Sequence, residues 1–440
     1  MKRTVFLLAL LLVSTLLNSP VFAQSVEKYY SLGELVSLAY QNNPQLKAND
    51  KAIQAGFKQI DYLNKDYLPQ VFVDLNVSRW DWALPSKQKL LGNSLNDIYA
   101  AFRINQLVYD WNKNAIQNEY AFTSVNIDKA SGRRLKQSIS YSITKSYLEY
   151  LKSKRAIQIQ QEAISQLKEH LKNAEALYSI GKVSNLDVVK AKVQIEIALD
   201  DLAKAKIQLD VQKNNLNYLC GKSMPDSFDV VDNVDGLWKK YSEINYNFAA
   251  LSSRLISQHP DLENINTQKE LRNKEVLLYK ADNYPAIYAF GISNVEDGKF
   301  PMGNFNWNMG ITLSYSLPFF RGANYQDKVE QTELKISALE ETENAAVQQL
   351  ETNVKNNMLK LEDYKTRLSG SSKIVKLAEE SLITANLKYN VGNGNSLDVL
   401  DAETILTTAK LNYNQIVIDW LIAIAELNYN IGSDDIALTP

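Results

Sequence analysis

The sequence predicts a mainly helical chain with a smaller β-barrel part, built from two internal repeats of helix, strand hairpin, long helix and return helix. Three observations carry that prediction. YSIGKVSNLDVVKA, Tyr178 to Ala191, returns as YNVGNGNSLDVLDA, Tyr389 to Ala402, with Tyr178, Gly181, Leu186, Asp187 and Val188 falling on Tyr389, Gly392, Leu397, Asp398 and Val399 at one offset of 211. No proline occurs between Pro85 and Pro225, so the chain permits a helix far longer than a globular domain needs. Each half also holds a pair of segments whose apolar residues alternate with polar ones, which is the period of a strand.

Residues 1–23 read as a secretory signal peptide: Lys2 and Arg3, an apolar run from Val5 to Leu17, and Val21-Phe22-Ala23 before Gln24, with cleavage between Ala23 and Gln24. A membrane anchor is the weaker reading, because Ser14 interrupts a run already short for a span. Gln24 stands where a lipoprotein would carry cysteine, and the sole cysteine, Cys220, excludes an intrachain disulfide. Net charge is −2 for the whole chain, which gives no support to nucleic-acid binding. His170 and His259 are far apart with no metal-ligand spacing around them and read as solvated helix positions. No phosphate-cradling glycine loop or hydrolase motif occurs, so neither enzyme chemistry, a cofactor nor a metal is expected.

The first repeat occupies 24–220. Ser31 with Glu34 makes a capping box ahead of Leu35, Leu38 and Ala39, and Asn43-Pro44 bends or restarts that helix. After Pro69 the period changes: strands are expected at about 70–82 and 97–110, with Val71, Val73, Leu75 and Val77 on one face, then Ile98, Ala100, Phe102 and Ile104. A helix from Asn114 to Ile180 would run for roughly 100 Å. Its end carries Ile164, Leu167, Leu171, Ala174 and Tyr178, and the return helix carries Val188, Ala191, Ile195 and Ala198, so the pair reads as an antiparallel coiled coil. The tip between them, about 178–187, has Gly181 as helix stop, Ser184 or Asn185 as cap and Asp187 in the first turn.

Residues 221–251 read as a connecting equatorial region. The second repeat, 252–432, follows the same plan, with His259-Pro260 answering Asn43-Pro44 and Pro285 answering Pro69. Its strands are expected at about 285–295, where Ala286, Tyr288, Phe290 and Ile292 share a face, and 305–318, where Trp307, Met309, Ile311 and Leu313 do. The seam Val375, Ala378, Leu382, Ala385 and Tyr389 leads to the second tip, about 389–398, and 433–440 is a tail.

Four strands with one apolar face each, near the length of a tilted membrane strand, and Trp80, Trp82, Trp111 and Trp307 at or near their ends, point to a membrane barrel. Four strands do not close a barrel, and open edges in lipid leave backbone groups unpaired. Several chains must therefore contribute to one barrel, with the long helices lining a tube beneath it.

These features resemble the TolC family of outer-membrane efflux proteins along essentially the whole mature length. The paired NNP and QHP segments, the strand starts at Pro69 and Pro285, LPFFRG at 317–322 and above all the two tips carry the likeness. The resemblance implies a homotrimer. Its helices would form an α-helical barrel in the periplasm, continued by a 12-stranded transmembrane β-barrel in outer-membrane lipid, four strands per chain. It also implies an adaptor (membrane fusion) protein and an inner-membrane pump as partners, and a passive exit duct as function.

By position in the motif, Asp398 and Asp401 match an acidic ring at the periplasmic entrance, and Asp187 and Tyr389 match contacts that hold it closed. Gly181, Lys182, Ser184, Gly392, Gly394 and Ser396 lie in the tips that meet the adaptor. Asp398 has a plainer reading as a complement to a helix N-terminus. An arginine of the closing network falls at Gly394, so Lys182 or another base replaces it or the closure is weaker. A type I protein-secretion duct is the near alternative. A structural coiled-coil envelope protein without a pore would explain the heptads but not four alternating strands placed symmetrically.

Overall fold

Ser31 opens the first helix as the sequence predicts, its hydroxyl and backbone exchanging hydrogen bonds with Glu34 in a capping box. That helix, α1 (Leu32–Asn42), stops at Asn43, whose side chain caps α2 (Pro44–Leu63) by accepting from the Gln45 N–H at 2.9 Å. The computed structural model describes residues 28–79, 89, 91, 96–225, 227–244, 246–315, 324–436 and 438. Ala23 and Gln24, Trp80 and Trp82, and the LPFFRG segment lie outside the described residues.

Ahead of α1, β1 (Lys28–Tyr30) pairs in parallel with β4 (Phe228–Val230). After α2 come β2 (Gln70–Arg79) and β3 (Asn96–Tyr109), then α3 (Lys113–Ser179), 67 residues long, and α4 (Asn185–Leu219). Past β4 lie α5 (Val234–Ser242), α6 (Phe248–Gln258) and α7 (Pro260–Ala281). The second half closes with β5 (Ala286–Asp297), β6 (Asn304–Ser314), α8 (Asn324–Asn390) and α9 (Ser396–Asn430). α8 has 67 residues and α9 has 35, the same lengths as α3 and α4.

The half-length helices meet end to end beside the long ones. Asn43 donates to the Leu219 carbonyl at 3.0 Å, joining the start of α2 to the end of α4. Gly221 sits at φ +72° with no room for a side chain, since a Cβ there would fall 2.5 Å from the Asn42 carbonyl oxygen. Gly432 repeats this at φ +69° against His259 and Pro260. The largest core cluster lies at mid-rod, where Ile143, Tyr147, Leu148 and Leu151 of α3 meet Ile418, Leu421 and Ile424 of α9 and are covered by β1, β4, α1 and α5. Both histidines are buried, contrary to the expected solvated positions. His259 is the N-cap of α7, accepting from the Asp261 N–H at 3.2 Å, the task Asn43 performs in the first repeat.

Strands β2, β3, β5 and β6 form one antiparallel sheet in the order β2-β3-β5-β6. Register sets its two faces. Val73 pairs with Phe102, Phe102 with Ser293, and Ser293 with Trp307, so these four share a side. On that side Val73, Leu75, Met309 and Ile311 are 80%, 73%, 70% and 77% exposed, an apolar surface left uncovered among the described residues. The other side carries the Asp74–Arg103 ion pair at 2.6 Å together with Asn306, Asn308 and Thr312.

One expectation about the strands is corrected. Ala286, Tyr288, Phe290 and Ile292 do share a face of β5, but pairing of Ile292 with Arg103 and Asn308 puts them on the polar side. Ile287, Ala289, Gly291, Ser293 and Val295 fill the apolar side instead, and Phe290 lies over Gly310, whose absent Cβ would stand 3.1 Å from its ring. Trp307 is on the apolar side and 65% exposed. Trp111 is at the sheet-to-helix corner at φ 52°, stacked on Tyr284 with ring centroids 6.4 Å apart. Among the described residues no helix is long and apolar enough to cross a membrane, which says nothing of a sheet.

Candidate functional site: the paired helix tips

The helices stop at both tips by the same device. Gly181 (φ +74°) and Gly392 (φ +82°) take the left-handed conformation, and the amide after each reaches back to the last turn: Lys182 N–H to the Leu177 carbonyl at 3.0 Å, Asn393 N–H to Lys388 at 2.9 Å. Ser184 caps α4 and Asn395 caps α9, each in a capping box with the aspartate three residues on, Asp187 or Asp398. Asp187 accepts from the Ser184 backbone N–H at 3.3 Å, and Asp398 from that of Asn395 at 3.4 Å. Both carboxylates thus have a task in their own helix start.

Each hairpin closes on an apolar seam. Ala174, Val188, Ala191, Ile195 and Ala198 are buried in the first; Ala378, Leu382, Val399, Ala402, Leu406 and Ala409 are buried in the second. The tips then differ. Tyr389 is 2% exposed, whereas Tyr178, its counterpart, is 48% exposed. Tyr389 is covered because the first hairpin lies on it within the chain: the His170 ring of α3 is 4.8 Å from the Tyr389 ring, and His170 Nε2 is 2.9 Å from Ser396 Oγ. Burial and the nearby Asp187 carboxylate push the Tyr389 phenol above its ordinary range.

Asp187 is close enough to act on Tyr389 through its charge, and the Ser396 side chain lies near enough to oppose that effect, but the Tyr389 hydroxyl makes no hydrogen bond of ordinary length among the described residues. Lys182 is exposed and forms no ion pair among the described residues. At Gly394 a Cβ would stand 2.9 Å from the Tyr389 amide nitrogen and 3.0 Å from the Lys388 carbonyl carbon, so this turn has no room for an arginine on the same backbone. Asp398 and Asp401 are both exposed, and Asp398 edges a groove with Leu377, Ser381, Thr384 and Lys388.

Sequence reasoning missed a second stripe along α9. Ser396, Leu400, Glu403, Thr407, Lys410 and Asn414 recur at spacings of four and three and face α3. Glu403 is 4% exposed, accepts from Thr407 at 3.4 Å, and faces Gln166, whose amide nitrogen, turned to donate, lies 2.6 and 3.0 Å from its oxygens. Burial pushes its carboxyl up to about 7, against the attraction of Lys410. Lys410 reaches Glu162 at 2.8 Å, and Asn414 donates to the Lys152 carbonyl at 3.0 Å. Among the described residues no group of three or more metal-ligating side chains occurs.

Comparison with known proteins gives a consistent result. Residues 35–222 and 251–433 match the family described as outer membrane efflux protein. The chain is 21% identical to the outer membrane protein TolC of Vibrio cholerae over 95% of this chain and 92% of that one. It is 20% identical to TolC of Salmonella enteritidis over 92% of this chain and 82% of that one. Its fold is similar to the solved structure of CusC, with a TM-score of 0.76 over 94% of this chain and 96% of the other at 17% identity.

Proposed function

The chain belongs to the outer membrane efflux protein family and is a TolC-family protein of the cell outer membrane, and from that premise we propose that it is the passive exit duct of a tripartite efflux system. Three copies would close a 12-stranded barrel, β2 of one copy pairing with β6 of the next, and continue it into a periplasmic tunnel of α-helices. A periplasmic adaptor would dock on the tips at Gly181, Lys182, Ser184, Gly392, Gly394 and Ser396, and an inner-membrane pump would supply energy. The observation that carries the reading is the sheet: one face is exposed and apolar, the other holds the Asp74–Arg103 pair and an asparagine row, and among the described residues both edge strands are unpaired. Leader, first repeat 24–220, equatorial region 221–251 and second repeat 252–432 are the proposed organisation. A type I secretion duct would use the same tube, and the pump recovered with a tagged chain separates the two.

Asp398 and Asp401 are proposed to ring the mouth. Their exposure supports this, and the capping of Asn395 by Asp398 is compatible with it, because one carboxylate oxygen remains free to face solvent. Three copies of each would place a dense negative charge on a narrow aperture, which favours cations and retains multivalent ones. Asp398→Ala with Asp401→Ala is expected to weaken the block of bilayer conductance by a divalent cation added on the tip side, by roughly tenfold or more in half-blocking concentration. An unchanged block would remove both residues from the ring.

A further inference from the structure

Within each hairpin the helices meet on an apolar seam; between the hairpins apolar contacts, such as Leu400 with Ile164 and Leu167, are joined by polar ones, and His170 is a buried polar side chain of α3 close to the tips. It is 4% exposed, bonded to Ser396 in the first turn of α9 and in ring contact with Tyr389 in the last turn of α8. One residue of the first hairpin thereby holds both helices of the second. Two polar atoms at this crossing, His170 Nδ1 and the Tyr389 hydroxyl, are buried without a hydrogen-bond partner among the described residues. Water would satisfy both if the hairpins parted, so the closed arrangement holds with a desolvation penalty that separation relieves.

The crossing occurs once per chain. The offset of 211 that relates the tips puts Ser381 in the place of His170, Asn185 in that of Ser396, and exposed Tyr178 in that of Tyr389. The reciprocal surface is thus built without a titratable imidazole.

We propose that His170 is a proton-sensitive latch between the two tip hairpins, holding the mouth closed while its ring is neutral and releasing α8 and α9 when the ring takes up a second proton. This deepens the duct reading above. A protonated ring makes both nitrogens donors and forces an Nδ1–H into a buried position with no acceptor. The groups that face it from the packed helices are Asp187 on α4 and Tyr389 on α8; on α9, Ser396 is uncharged, Asp398 and Asp401 are exposed, and Glu403 lies two turns on beside Gln166. Burial lowers the affinity of His170 for a proton, and the attraction of Asp187 opposes this without overcoming it. The closed state therefore binds the proton less well than a separated one, whose value is near 6.5. The latch is fully engaged above that value and fails as pH falls through the lower, closed-state one.

Asn173 and Asn390 face each other across the two hairpins at 3.5 Å and report on the latch without any need for conduction. Both would be replaced by cysteine in the full-length membrane protein, in a Glu403→Gln background that removes the opposite acid dependence of that buried carboxyl on the same contact of α3 with α9, and cross-linked with a short bifunctional thiol reagent, native Cys220 being buried. Taken relative to the same cysteine pair with His170→Phe at the same pH, which cancels the slower reaction of thiols in acid, the yield is expected to fall severalfold between about pH 7.5 and about pH 5.5. His170→Phe keeps a ring against Tyr389 but does not titrate, and its yield should fall in acid only as far as loss of the reactive thiolate slows the cross-linking. Ser396→Ala should lower the yield at neutral pH, roughly fivefold for one lost hydrogen bond. Equal acid responses in the parent and in His170→Phe, or a Ser396→Ala yield equal to the parent's, overturn the latch. Neither result bears on whether the protein is a duct.

Discussion

Met309→Arg is expected to abolish assembly in the outer membrane, while Asn308→Arg, one residue away, is tolerated. Met309 is mid-strand in β6, 70% exposed, on the side shared with Val73, Leu75 and Ile311. In the proposed barrel that side would meet lipid, and a central arginine would cost ~2–4 kcal/mol per chain, three times over in the proposed trimer. Asn308 is paired with Ile292 on the side that carries Asp74 and Arg103, where a cation meets water. A semi-native gel of outer-membrane fractions would show the oligomer lost in the first variant and retained in the second. Equal behaviour would mean that the two faces do not divide lipid from lumen.

Glu403→Gln is expected to remove from the melting temperature of the helical part a loss that the parent shows as pH rises. The buried carboxyl is raised from 4.5 to about 7. A raised value means that the packed state prefers the protonated form. The contribution is fully present below 4.5, declines as pH rises, and is gone above about 7, where the charged form must be buried. The two values differ by enough to make the loss ~3 kcal/mol. Glutamine keeps the shape and carries no charge, so the variant should match the parent at about pH 4 and melt higher at about pH 8. Circular dichroism melts of the detergent-solubilised protein decide it; parallel pH curves for the two proteins would show that Glu403 is not the titrating group. Gln166 fits both forms, since its amide nitrogen donates to a carboxylate and its oxygen accepts from an acid.

The parts of the fold legible in sequence are those written as period or punctuation. Gly181 and Gly392 mark helix stops, Ser31 with Glu34 marks a start, and the leucine and alanine at spacings of three and four mark the seams within hairpins. Polar contacts between hairpins carry no hydropathy signal. His170 falls at the seam spacing of Leu167 and Ala174, but as a lone imidazole among apolar residues it reads as solvated until α9 is placed against it. Ser396, Glu403 and Lys410 are likewise invisible as a stripe, because each alone is an ordinary surface residue of a helix.

The outward face of β5 is hidden in the sequence for a related reason. Tyr288, Phe290 and Ile292 are the larger apolar residues, and alternation alone selects them for lipid; only register with Arg103 and Asn308 reverses the choice. The missing arginine at Gly394 has a steric account, the turn being closed against the backbone of Lys388 and Tyr389.

The central claim, that this chain forms a duct whose mouth is the paired tips, is tested most directly by conductance of the purified protein in a planar bilayer. Stepwise channels are expected from the parent protein, with higher conductance after Asp187→Ala and Tyr389→Ala loosen the mouth. A membrane that stays silent with both the parent and that double variant would contradict the account.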